Sequence, residues 1–90
     1  MARRKKKRRK LPANIVGPQV QKRRYELGLT QERLAAKCQL HGLDISRGTL
    51  SQIEARIRRV TDSELFLLSK VLRVTADSLF PAKPRRRKRQ

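Results

Sequence analysis

The chain has 90 residues, with 25 Lys and Arg against seven Asp and Glu, a formal charge of +18 and a single cysteine. This length allows one domain with a modest core, and one cysteine excludes an internal disulfide framework and fits a reducing compartment. No apolar run approaches the ~18 residues of a membrane span, and the N-terminal basic block is not followed by the apolar stretch of a signal peptide, so the expectation is a soluble, intracellular protein.

The charge is unevenly placed. Residues 3–10 contribute eight positive charges, and Lys83 with Arg85 to Arg89 contribute six, without an acid in either stretch. Residues 11–82 hold 11 basic and seven acidic side chains, a net of +4. The reading is a basic N-terminal arm (1–13), a nearly ordinary small domain (14–81) and a basic C-terminal arm (82–90). Both arms lack apolar residues to bury and are expected to be disordered in isolation. With no Trp and only Tyr25, Phe66 and Phe80 as aromatics, a sheet that stacks single-stranded bases on aromatic rings is a poor fit.

In chain order, a first helix is expected over about 18–27, with Pro18 in the first turn, where its missing N–H does no harm, and Gly28 at the end. The next starts share one six-residue pattern: an aliphatic residue, Ser or Thr, three variable residues and Leu. It occurs at 29–34, 45–50, 60–65 and 74–79. In each copy the hydroxyl residue can cap a new helix while the aliphatic packs on the Leu five positions later. Helices are therefore expected over about 31–39, 47–55, 62–72 and 76–80, and Thr61 with Glu64 adds a reciprocal capping box. The copies are irregularly spaced, which argues against a solenoid, and no segment reads as a strand. Helical spacing points inward at Val20, Arg24 and Leu27; Leu34 and Ala35; Leu50, Ile53 and Ile57; Leu65, Leu68, Val71 and Leu72; and Leu79 with Phe80.

On the helix over 47–55, Leu50, Ile53 and Ile57 share one face. Gly48, Ser51, Gln52, Ala55, Arg56 and Arg59 fall on the other, with Arg47 at its flank. Small residues let a helix approach another molecule closely, and Ser, Gln and Arg can hydrogen-bond base edges. Taken alone, most such faces are only wet.

The neighbouring segments shift that balance. Gly28-Leu29-Thr30-Gln31-Glu32-Arg33-Leu34-Ala35, followed by Ile45-Ser46-Arg47-Gly48-Thr49-Leu50-Ser51-Gln52-Ile53-Glu54, resembles the helix-turn-helix of the Cro and phage-repressor (Xre-like) family. Val60-Thr61-Asp62 and the stretch from Leu72 to Phe80 match that family's closing elements, so the resemblance covers about residues 16–81. It implies an all-α, compact five-helix, lambda-repressor-like DNA-binding domain whose helix from Arg47 enters the major groove. Carried over by position, Ser46, Arg47, Gly48, Ser51 and Gln52 are the expected base readers. Gln31 matches the family's phosphate-contacting glutamine, and Arg56, Arg58 and Arg59 would grip phosphate further along. Arg58 and Arg59 equally fit solvated loop charges. The resemblance also pairs Arg24 with Glu54 in a partly buried ion pair, and a charge on an apolar face needs such a partner.

Two departures stand out. The segment Leu40-His41-Gly42-Leu43-Asp44-Ile45 is several residues longer than the family's usual turn, so that it either bulges outward or extends a helix. Ala55-Arg56 stands where the family often has Asn-Gly.

No catalytic set is visible with one histidine in an expected turn, and no cofactor is implied. Cys38 and His41 alone cannot close a zinc site, so burial or helix-end polarity is the better reading. The arms suit a polyanion. The expected partner is double-stranded DNA, engaged at a two-fold site. A homodimer would use the domain itself, near Leu79 to Pro81, or form only on DNA. The leading expectation is a sequence-specific transcriptional regulator, cytoplasmic and associated with the nucleoid of a prokaryote or phage. A nucleic-acid-condensing or bridging protein, and the antitoxin of a toxin-antitoxin pair, are the alternatives.

Overall fold

Each hydroxyl residue expected to start a helix accepts a hydrogen bond from the backbone N–H three residues on. Thr30 accepts from Arg33, Ser46 from Thr49 and Thr61 from Glu64, each at 3.1 Å, and Thr75 from Ser78 at 3.3 Å. Each bond satisfies one of the N–H groups that the first turn leaves free. Glu64 returns the bond to the Thr61 N–H at 3.0 Å, closing the capping box.

The computed structural model describes residues 11–81. The basic runs at 3–10 and 83–89, with the disorder expected of them, lie outside the described residues. The elements are α1 (Gly17–Glu26), α2 (Gln31–Leu40), α3 (Arg47–Glu54), α4 (Asp62–Leu72) and a 3-10 helix at Ala76–Leu79. The all-α expectation stands among the described residues, but the fifth helix is a single 3-10 turn. Pro81 explains its brevity, since the residue before a proline is driven to extended backbone and Phe80 sits at φ −85° and ψ 151°.

The four α-helices end alike, on a left-handed residue followed by a hydrogen bond that closes the last turn. The left-handed residues are Gly28, Gly42, Arg56 and Arg73, at φ 70°, 87°, 66° and 60°. The closing bonds run from Leu29 N to Arg24 O (3.0 Å), Leu43 N to Cys38 O (2.8 Å), Ile57 N to Gln52 O (3.0 Å) and Val74 N to Ser69 O (3.0 Å). Glycine adopts this conformation freely, whereas arginine meets a Cβ clash there.

The same geometry corrects the long turn between α2 and α3, which neither bulges outward nor extends a helix. It stops at Gly42 and folds inward, burying Leu43 and Ile45 at 6% and 3% exposure. Gln39 Nε2 donates to the Ile45 carbonyl at 2.9 Å and holds the return. The extra residues therefore add Leu43 and Ile45 to the core.

Leu34, Leu50, Ile53, Leu68, Leu72 and Leu79 are fully buried at the centre, with Val16, Val20, Cys38, Leu43 and Ile45 completing the cluster. Burying one such Leu or Ile side chain stabilises by about 2 kcal/mol. Two residues expected inside are outside, Ile57 at 69% and Phe80 at 41% exposure. Ile57 follows the left-handed Arg56, so the helical period that would carry it inward has already ended. Phe80 lies past the 3-10 helix on extended backbone, where Leu79 alone turns in.

Candidate nucleic-acid interface

α3 rests on α1 and α2 through Leu50 and Ile53. This leaves its opposite face to Gly48, Ser51, Gln52 and Ala55, with Arg47 at the start. Arg47, Gly48 and Gln52 are exposed and Ser51 is half-buried. Among the described residues, the side chains of Arg47, Ser51 and Gln52 make no hydrogen bond within the domain. Ser46 differs, because its hydroxyl accepts from Thr49 N and donates to Thr49 Oγ1 at 3.1 Å, committing it to the cap.

Behind this face stands the Arg24–Glu54 pair. Arg24 Nε donates to Glu54 Oε2 at 2.7 Å and Nη2 to Oε1 at 2.9 Å, with side-chain exposures of 6% and 2%. Arg24 Nη1 donates to the Leu29 carbonyl at 2.8 Å, so one guanidinium ties α1 to α3 and to the turn before α2. These hydrogen bonds to Glu54 raise the Arg24 pKa above its ordinary value, against the opposing effect of burial.

Gln31, expected to meet phosphate, is also tied to this centre, with Nε2 donating to Glu54 Oε1 at 3.0 Å. The remaining amide hydrogen and the carbonyl oxygen of Gln31 stay uncommitted among the described residues. The ion pair thus holds the side chain that opens α2.

Beyond α3 the three arginines separate. Arg56 and Arg59 are exposed, and neither side chain has a hydrogen-bond partner among the described residues. Arg58 is engaged instead, with Nη1 and Nη2 donating to Glu64 Oε1 and Oε2 at 3.0 and 2.9 Å. That fork, chiefly through its hydrogen bonds, holds the Glu64 carboxyl below its usual pKa and raises that of Arg58. Arg58 is therefore paired with an acid among the described residues, where it braces the capping box of α4.

One residue of the site has no role in the expectations from sequence. Asn14 Nδ2 donates to the carbonyls of Ile53 (3.0 Å) and Arg58 (2.7 Å), and Asn14 Oδ1 accepts from Gly17 N (2.8 Å). An Asn three residues before the start of α1 was a readable cap signal; its bonds across the fold were not.

No cluster of three or more His, Cys, Asp or Glu side chains able to hold a metal occurs among the described residues. Cys38 is buried, which pushes its thiol up to about 11, while exposed His41 sits at the end of α2 with Nδ1 3.0 Å from the Lys37 carbonyl. No described helix is long and apolar enough to cross a membrane.

A capped helix pair, joined by a turn and presenting an uncommitted polar face on its second helix, has the arrangement of a helix-turn-helix. The family model for the helix-turn-helix matches residues 20–79, and the chain belongs to this family of Cro and phage-repressor type, which acts in transcription regulation. Comparison with curated proteins and with solved structures gives no match.

Proposed function

We propose that this chain is a sequence-specific transcriptional regulator that reads duplex DNA in the major groove with the exposed face of α3. One observation carries the reading. Polar side chains around α3 are committed to caps and ion pairs, as with Ser46, Gln31, Arg24 and Glu54, whereas those facing outward at Arg47, Ser51 and Gln52 have no hydrogen-bond partner among the described residues. Arg and Gln give bidentate bonds to guanine and adenine, and Gly48 lets the backbone come close.

Gln31, at the first position of α2, presents its remaining amide groups and the helix N-terminus to phosphate. Arg56 and Arg59 extend that contact, and the arm cations add affinity without reading sequence. The domain engages a two-fold site as a homodimer. A condensing or bridging role is the second reading, favoured by the eight and six cations of the two arms.

The experiment is selection from a random duplex pool with the full chain, in salt that suppresses the arms' contribution. A regulator returns one consensus with two half-sites. A condensing protein returns the starting pool.

A further inference from the structure

A second basic surface lies away from α3. α1 and α2 each pack on both α3 and α4, so they stand between those two helices. α4 begins at Asp62 and runs 11 residues, about 16 Å, to end at Leu72. At that end Arg23 Nε donates to the Leu72 carbonyl at 2.9 Å, which fixes the last turn of α1 beside the last turn of α4. The corner gathers four cations: Lys22 and Arg23 from α1, Lys70 from α4, and Arg73 just after it. Glu26 pairs with the first two, at 3.6 Å from Lys22 Nζ and 3.3 Å from Arg23 Nη1. Lys70 and Arg73 are exposed and have no acid partner among the described residues; Lys70 Nζ lies 4.9 Å from the centre of the Phe66 ring. Arg73 also holds the left-handed φ of 60°, where a glycine would be less strained, so the backbone gives no reason for an arginine there.

We propose that this corner is a second phosphate-binding surface, which takes the backbone of a second duplex while α3 faces the first, so that one folded domain bridges two DNA segments. The inference rests on the DNA-binding reading above but needs no sequence preference. A stable protein partner would want an apolar, charge-depleted centre to its interface. This corner offers long cations around one ring, which lies under Lys70. Phosphates need no such centre, and cations that neutralise them bind any sequence. A handful of these contacts is weak in isolation. It gains strength where the domain is already held on DNA, because neighbouring segments are then present at high local concentration.

Lys70→Gln combined with Arg73→Gly removes the two unpaired cations without unfolding the chain, since glycine relieves the left-handed strain. The measurement is the capture of a labelled duplex of mixed sequence by the full chain already bound to an immobilised duplex, titrated with salt. It is read beside the affinity of the same chain for a single duplex in solution. The unchanged chain is expected to capture the second duplex. The double variant should capture it about tenfold more weakly, with the slope of log K against log salt reduced by about 1.8 for two lost phosphate contacts, and with single-duplex affinity unchanged. Arg73→Lys, which keeps the charge, should capture as the unchanged chain does. Equal capture by the double variant and the unchanged chain overturns the proposal, as does an unchanged chain that captures nothing. An equal fall in single-duplex affinity also overturns it, because the corner would then lie on the same duplex as α3. Capture needs no consensus, so a failed selection experiment overturns the regulator reading and leaves this result standing.

Discussion

Arg24 and Glu54 meet through two parallel hydrogen bonds of 2.7 and 2.9 Å in the interior between α1 and α3. Because both charges are out of water, the pair is asymmetric in its energetics: losing one partner strands the other. Glu54→Gln should lower the unfolding free energy by about 3 kcal/mol, read by urea denaturation. The double replacement Arg24→Met with Glu54→Leu should cost less than either single change.

Gly17→Ala sets two effects against each other. In an ordinary first turn, alanine would gain up to about 1 kcal/mol over glycine from helix propensity. Here the added Cβ meets the Ile53 and Glu54 carbonyl oxygens, which are backbone and cannot swing aside. A net loss of about 2 kcal/mol or more is expected, with a lower melting temperature.

Arg56 and Arg73 occupy the left-handed positions where α1 and α2 carry glycine. Arg56→Gly and Arg73→Gly should each stabilise the fold by about 1 kcal/mol. Only Arg56→Gly should also weaken DNA binding, reducing the slope of log K against log salt by about 0.9 for one lost phosphate contact. Denaturation and salt titration of the two variants separate backbone strain from function.

Glu64 is held by the Arg58 fork below its usual carboxyl pKa of 4.5. A depressed folded-state pKa contributes stability above the unfolded value, and this is lost as pH falls through the folded value. With side-chain exposures of 32% for Arg58 and 19% for Glu64, solvent screening limits the contribution to about 1 kcal/mol. Glu64→Gln should therefore be less stable than the unchanged chain by about that amount near pH 7, with the gap closing as pH falls below the usual carboxyl range and through the lowered Glu64 value.

The hydroxyl caps were legible because they are local: Thr30, Ser46, Thr61 and Thr75 each bond a backbone N–H three residues on. Arg24 announced itself as a charge on an apolar face, with Glu54 supplied by the family resemblance. Ile57 was misplaced because its inward position assumes a continuing helix, and an arginine at the left-handed position gives no stop signal where a glycine would. Asn14 was missed because its carbonyl partners lie 39 and 44 residues away. Arg58 was ambiguous because a chain so rich in cations does not reveal which of them finds an acid. The inward fold of Leu43 and Ile45 depended on room in the core, which only packing reveals.

The most direct test of the account is the ratio of affinities for the selected duplex and a scrambled duplex, measured for the full chain and for Gln52→Ala. Gln52 is exposed and uncommitted, so its removal should leave stability unchanged. If α3 reads bases, Gln52→Ala should shrink the ratio by about tenfold or more, the discrimination expected of one bidentate contact. An unchanged ratio would contradict base reading by this face.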